Sequence, residues 1–315
     1  NLMNTEQYLA LRRQAFENSQ EEMTESNAFD LLFWDQDRYT DWEEEFMGGT
    51  SMVNNINLSA SGGNGATSFR ITSSYYKEGT IFPGEMDYRK VTGGLNIHHR
   101  SSNKKLSIDF SANYGVDTNN SKGAAVNFAI EARELPPNAP PVFNPDGTLH
   151  WEEWTAVGWI NPLEGYFNTT KSNTNSLISS LGVSYEVIEG LKFKTSMGYN
   201  RLNNREVLKM PLRSYNPATW ESQVHRSAHR AAERSSWIIE PQVLYDQSFG
   251  KFSINTILGA TVQQNESYNE NFQASGYISE SLIGSLGAAA EIINADSRNT
   301  QYKYAALFAR MGFNW

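Results

Sequence analysis

Leu177-Ile-Ser-Ser-Leu-Gly-Val-Ser-Tyr-Glu-Val-Ile188, then Glu189-Gly190, then Leu191-Lys-Phe-Lys-Thr-Ser-Met-Gly-Tyr-Asn200 is the stretch that decides the fold. Leu177, Leu181, Val183, Tyr185 and Val187 share one parity with Ser179. Leu191, Phe193, Met197 and Tyr199 alternate with Lys192, Lys194, Ser196 and Asn200. Apolar residues at every second position mean an extended strand with one apolar face and one polar face. Two such runs around a two-residue link containing glycine read as a β-hairpin.

The same period recurs on both sides. Met52, Ile56, Leu58 and Ala60 alternate with Asn55, Asn57 and Ser59, and the glycine-rich Ser61–Gly65 turn leads to Phe69, Ile71 and Tyr75. Leu95 and Ile97 mark a strand near 88–100. Leu106, Ile108, Phe110, Ala112 and Tyr114 mark the next. Trp237 to Tyr245, Phe252 to Val262 and Ala305 to Trp315 repeat the pattern. The links alternate between short (61–66, 101–104, 189–190, 249–251) and long (77–87, 117–174, 202–234, 265–300). Tight turns at one end and elaborated loops at the other are the habit of outer-membrane barrels. Several strands also reach the ~10 residues that cross a bilayer at a tilt. A soluble sandwich would use shorter strands, with the apolar face turned toward a second sheet.

The sequence is therefore expected to be all-β, an antiparallel transmembrane β-barrel with about nine strands here and long extracellular loops. Closed bacterial barrels use an even strand number, so nine strands imply a section of a larger barrel. Residues 52–315 form that partial barrel. Residues 1–51 read as an extracellular loop region. It holds one short helix, capped at Asn4 or Thr5 and apolar at Tyr8, Leu9, Leu11, Ala15 and Phe16.

Composition narrows the function. A net charge of −9 over 315 residues disfavours a nucleic-acid partner. Absence of cysteine excludes disulfides and thiolate metal sites. No run reaches the ~20 apolar residues of a membrane helix. The mean hydropathy of −0.54 is still compatible with a barrel, in which only alternate residues meet lipid. No signal-peptide pattern opens the sequence, so an exported precursor is expected to begin upstream of Asn1.

Beyond periodicity, the residues resemble a family. Phe29-Asp-Leu-Leu-Phe-Trp-Asp-Gln-Asp-Arg-Tyr-Thr-Asp-Trp42 looks like the loop before the second barrel strand of SusC/RagA-type TonB-linked outer-membrane transporters. Asn57-Leu-Ser-Ala-Ser-Gly-Gly63 is similar to the strongest local signature of that family in this region. Ser74-Tyr-Tyr-Lys-Glu-Gly-Thr-Ile81 and Asp87-Tyr-Arg-Lys-Val-Thr-Gly-Gly-Leu-Asn96 resemble its next hairpin. Tyr302-Lys-Tyr-Ala-Ala-Leu-Phe-Ala-Arg-Met-Gly-Phe-Asn-Trp315 resembles a later strand, with Ala309 where the family often has glycine. The resemblance implies a 22-stranded barrel with an internal plug in the bacterial outer membrane. It implies TonB-driven import of glycans or peptides, and a SusD-like surface lipoprotein as partner. The TonB box and plug have no counterpart here, so the TonB complex is expected to act through an N-terminal part outside this sequence.

The functional candidates follow from that reading. Trp151, Trp154, Trp159, Tyr166 and Trp220 lie in long loops, where flat rings can stack on sugars or peptide side chains. Packing of the loops, a partner lipoprotein or a membrane-surface aromatic belt would use the same rings. Arg70, Lys192, Lys194 and Arg310 fall on the polar parity and are expected to face the lumen. No catalytic constellation, cofactor or metal is called for. His225 and His229 have i, i+4 spacing but lack a third ligand. His98 and His99 point to opposite faces of a strand. Glu43–Glu45 read as a solvated acidic loop, and Ser61–Gly65 as a turn without the Lys-Ser/Thr of a phosphate loop. A second reading stands beside import: a secreted soluble β-protein that binds carbohydrate through the Trp-rich loops.

Overall fold

The computed structural model describes residues 2–123 and 127–315. Its nine strands are β1 (Val53–Gly63), β2 (Thr67–Glu78), β3 (Asp87–Arg100), β4 (Leu106–Lys122), β5 (Thr169–Ile188), β6 (Leu191–Met210), β7 (His225–Phe249), β8 (Phe252–Tyr277) and β9 (Glu291–Asn314). They lie in one sheet in sequence order, every neighbour antiparallel. The all-β meander expected from the periodicity is thus present with its nine strands.

Register carries the alternation from strand to strand. Directly opposed residues run Gly62, Phe69, Ile97, Phe110, Leu181, Met197, Ile239, Val262, Ala305 across all nine strands. One position along, the row reads Ser61, Arg70, Asn96, Ser111, Ser180, Gly198, Ile238, Gln263, Tyr304. Since opposed residues share a face, the first row is continuous and apolar and the second is mainly polar. Among the described residues no second sheet covers the apolar face: Leu58 is 67% exposed, Leu258 56% and Leu307 85%. The two-layer sandwich is therefore not formed.

The strands outrun their apolar alternation. The long connections are 79–86, 123–168, 211–224 and 278–290, shorter than the sequence suggested at 77–87, 117–174, 202–234 and 265–300. The reason is that pairing continues where both faces are polar. In β6, Tyr199 gives way to Arg201, Asn203 and Arg205 on the apolar side, while Asn204 and Glu206 occupy the other. The backbone ladder needs no apolar side chains, so period-two hydrophobicity stops before the strand does. At the opposite end the turns are tight. Gly190 closes one with φ +79, and a Cβ there would lie 2.3 Å from the Asp246 carbonyl oxygen, so the position requires glycine.

The long-loop end is built from helices. α1 (Thr5–Ser19) starts at Asn4, whose side chain accepts from Gln7 N at 2.9 Å while Gln7 Oε1 accepts from Asn4 N at 3.2 Å. Leu9 and Phe16 are buried as expected, but Leu11 is exposed because it faces away from the chain beneath. Four further helices stand where the sequence showed only loop: α2 (Phe29–Leu32), α3 (Trp42–Met47), α4 (Phe128–Glu134) and α5 (Glu152–Ala156). Helices this short do not hold themselves in water, so burial stabilises them. Phe29, Trp34, Trp42, Phe46, Phe128, Leu163 and Trp154 form one core, joined by Phe82 and Met86 from the 79–86 connection.

Hydrogen bonds fasten the N-terminal segment to the 123–168 connection. Trp42 Nε1 donates to Pro136 O at 2.8 Å, Thr40 N to Pro137 O at 2.8 Å, and Asn138 Nδ2 to Asp30 O at 2.9 Å. Arg38 reaches Glu153 at 2.8 Å. Asp30 is fully buried and accepts from Arg12 Nε at 2.6 Å, Arg12 Nη2 at 3.1 Å and the Tyr8 hydroxyl at 2.8 Å. Burial, reinforced by the neighbouring Asp30 carboxylate, pushes the Tyr8 phenol well above its ordinary range.

Two outcomes test this cap. Asp30→Ala strands Arg12 and Tyr8 and should destabilise the helical cap by about 2–3 kcal/mol. Trp154→Ala empties the core centre and should cost about 3–5 kcal/mol. In both variants, hydrogen exchange of the full-length protein should quicken in residues 5–47 and 128–163 and stay unchanged in β5–β8. Equal loss of protection across the strands would contradict an independently opening cap.

Candidate functional site

The polar face carries the four cations expected on it. Arg70 stands opposite Ser61 and Asn96. Lys192 opposes Glu186 and Leu244, and Lys194 opposes Ser184 and Gln242. Arg310 opposes Ile257, which opposes Leu244, so Arg310 and Lys192 share one row. A hollow of about 890 Å³ opens on this face, with Ser61, Arg70, Asn96, His98, Asp109 and Ser111 in its wall. His98 Nδ1 lies 2.6 Å from Asp109 Oδ1, and Ser111 Oγ lies 2.8 Å from Ser180 Oγ. The His98–Asp109 pair was not legible beforehand, because it depends on the β3–β4 register.

The other histidines serve their neighbours. His99 Nδ1 meets Thr67 Oγ1 at 2.7 Å on the opposite face from His98. His225 Nδ1 accepts from Leu212 N at 3.1 Å, and His229 Nε2 lies 2.9 Å from Ser227 Oγ. Both sit in β7, so their i, i+4 spacing is that of a strand and not of a helix. Glu43, Glu44 and Glu45 form the first turn of α3, where carboxylates favour the positive end of the backbone dipole.

The five loop rings separate by burial. Trp154 is fully buried, donates Nε1 to Pro141 O at 3.1 Å and packs edge-on against Trp34 at 5.5 Å, so it presents nothing to a ligand. Trp151 and Tyr166 are partly buried against the same core. Tyr166 also holds Lys122 Nζ 3.9 Å from its ring centre. Trp159 rests on Phe29 at 4.7 Å yet stays 41% exposed. Trp220 is 40% exposed and donates Nε1 to Tyr215 O at 3.0 Å.

The same connections hold a pocket the sequence did not reveal. Ile160, Asn161, Pro162, Glu164, Asn168 and Tyr215 line a pocket of about 320 Å³. The 123–168 and 211–224 connections meet beside it, where Gly165 N donates to Ser214 O at 2.9 Å. Asn161 is saturated: Nδ2 donates to Val142 O at 2.9 Å and His150 O at 2.6 Å, and Oδ1 accepts from Leu163 N at 2.8 Å. Each residue alone is an ordinary polar loop residue. Only tertiary contact makes a site of them.

With this geometry in view, likeness to known proteins is informative. No family model and no curated protein matches the chain. Solved structures do. The RagAB peptide importer in the "closed-closed" state matches at TM-score 0.73 and 18% identity, covering 90% of this chain and 32% of the other. The RagAB peptide transporter gives 0.71 and 18%, and the "open-open" state of the importer 0.72 and 17%, with the same coverage. The chain thus spans about a third of the length of those structures (32%). At the level of the fold, the likeness bears out the resemblance to SusC/RagA-type chains.

Proposed function

We propose that this chain forms part of the wall and outer vestibule of a SusC/RagA-type importer in the bacterial outer membrane. One observation carries the reading: an apolar face crosses nine strands with no protein layer against it among the described residues, while the opposite face is mainly polar. In water that face would be a large exposed apolar surface, far beyond the few hundred Å² a soluble monomer tolerates. In lipid it is matched. On β7 the apolar parity runs from Trp237 to Tyr245, the length of a tilted bilayer-crossing strand. Aromatic residues mark both limits, with Tyr114, Tyr199 and Trp237 toward the long loops and Tyr185, Phe193 and Tyr245 toward the tight turns.

The remaining roles follow from this orientation. Residues 52–315 supply the wall. Residues 1–51, packed with the 123–168 connection, lie outside the membrane at the long-loop end. Arg70, Lys192, Lys194 and Arg310 line the lumen. Trp159 and Trp220 are the rings left to meet substrate, a glycan or peptide oligomer that passes without any bond being made or broken. A SusD-like surface lipoprotein and the TonB complex are the partners this reading requires. The fold likeness to the RagAB importer supports it. The soluble carbohydrate-binding reading needs the apolar face covered and loses ground on the single-layer sheet.

Two measurements check the proposal. Leu258→Arg and Ile108→Arg place a charge in lipid at about 2–4 kcal/mol each and should abolish heat-modifiable gel mobility of the full-length protein. Ser111→Ala, on the polar face, should preserve it. Equal tolerance of all three would refute the face assignment. Trp159→Ala and Trp220→Ala should leave assembly intact and weaken capture of the imported oligomer about five-fold, roughly 1 kcal/mol per ring. Unchanged capture in both would remove the rings from the substrate path.

A further inference from the structure

We propose that the outer side of the wall, just beyond its apolar band, holds a binding site for the oligosaccharide headgroup of an outer-leaflet glycolipid. The proposal rests on the membrane reading above and adds to it a lipid that the wall recognises. On β6 and β7 the apolar parity ends at Tyr199 and Trp237, which oppose each other. Toward the long loops the same parity turns polar. One row reads Asn175, Asn203, Glu233, Tyr268 across β5–β8, and the next reads Asn173, Arg205, Ala231, Glu270. A hollow of about 620 Å³ opens on these two rows and on Arg201 beneath them. That size falls within the ~300–1,000 Å³ of small-ligand sites. Ala231 makes the dip, since it is the one short side chain between Arg205 and Glu270.

The lining chemistry favours sugar hydroxyls. Each hydroxyl both donates and accepts, so its site needs both kinds of partner. Arg201 Nη2 donates to Glu233 Oε1 at 2.6 Å, and the Tyr268 hydroxyl donates to Glu270. Asn173 Oδ1 accepts from Thr118 Oγ1 at 3.0 Å. The Arg205 guanidinium and the Asn175 amide have no hydrogen-bond or ion-pair partner among the described residues, so donors and an acceptor stay available. Two guanidiniums stand against two carboxylates, so the hollow has no excess of positive charge with which to select a phosphate.

Height selects the occupant. With a rise of about 3.4 Å per residue and a tilt of about 45°, the two rows stand roughly 10 and 14 Å above Tyr199 and Trp237. The polar layer of a phospholipid bilayer is only about 5–7 Å deep on each side, so a phosphodiester headgroup stops short. A headgroup extended by several sugars reaches both rows while its acyl chains lie on the apolar face directly below. The hollow is on the outside of the wall and not in the lumen, so transported cargo does not pass it.

Native mass spectrometry of the full-length protein in detergent tests this, by counting bound lipid over a concentration series. The probes are rough-type lipopolysaccharide, which carries a core oligosaccharide on its lipid; lipid A, which lacks that core; phosphatidylglycerol; and the free core oligosaccharide. The lipopolysaccharide should bind at least ten-fold more tightly than each of the other three. Ala231→Trp fills the hollow and Arg205→Gln removes its unpaired guanidinium. Each should weaken lipopolysaccharide binding at least ten-fold and leave lipid A binding unchanged. Both variants should keep heat-modifiable gel mobility, which reports the barrel. Should Ala231→Trp lose that mobility, Arg205→Gln, which breaks no contact, decides alone. Absence of heat-modifiable mobility in the unaltered protein would sink the membrane reading. Retained mobility with equal binding of lipopolysaccharide and lipid A would overturn the glycolipid site alone. Equal binding of phosphatidylglycerol would reduce the site to phosphate attraction, and equal binding of the free oligosaccharide would make it a site for soluble glycan; either overturns the proposal. So would lipopolysaccharide binding that is indifferent to the substitutions.

Discussion

The register of the eight antiparallel pairings is the constraint on which the rest of this protein depends. Side chains alternate with period two, so a slip of one residue in any pairing would move the whole apolar set of that strand to the polar side. The unbroken row from Gly62 through Phe69, Phe110, Met197 and Ile239 to Ala305 shows that every pairing obeys the same parity. In the outer-membrane setting proposed above, contact with lipid gives that parity its energetic weight. Each charge placed on the wrong side costs about 2–4 kcal/mol at the bilayer midplane. Backbone pairing is equally obligatory there, because lipid offers no substitute for a lost hydrogen bond. The two demands select a long antiparallel meander over any compact two-layer body.

At the long-loop end the physics changes. Strands β5 to β8 continue beyond the apolar band with polar residues on both sides, held by the backbone ladder and by ion pairs such as Arg201–Glu233 at 2.6 Å. Above them the cap is an ordinary water-soluble core. Trp42, Phe46 and Trp154 are buried, and Asp30 is neutralised by Arg12. A rigid cap beside the strands positions the connections whose pocket and exposed rings are the candidate contact points. Functional residues on loops held by a rigid scaffold are the usual arrangement. Here the scaffold includes the loops' own aromatic core.

The elements that were legible share one property: their signal is local. The hairpin at Glu189–Gly190, the helix start near Asn4 and the polar-face parity of Arg70, Lys192, Lys194 and Arg310 each follow from neighbours a few residues away. The elements that were missed depend on distant partners. Within β6 the stretch 203–206 is polar on both faces, which breaks the period before the strand ends. Helix α3 is six residues long and stands because Trp42 is tied to Pro136, 94 positions later. Trp154 and Trp159 are five residues apart and look alike in sequence, yet one is buried and the other 41% exposed.

The sequence by itself determined the strand count, the two-faced character of the sheet and which end carries the long loops, because period-two hydrophobicity and turn chemistry are written in short windows. Only tertiary structure decided which rings are exposed, that Asp109 partners His98, and that Glu164 and Asn168 line one pocket. Burial and hydrogen-bond satisfaction are properties of groups brought together in space, and no window of neighbouring residues contains them.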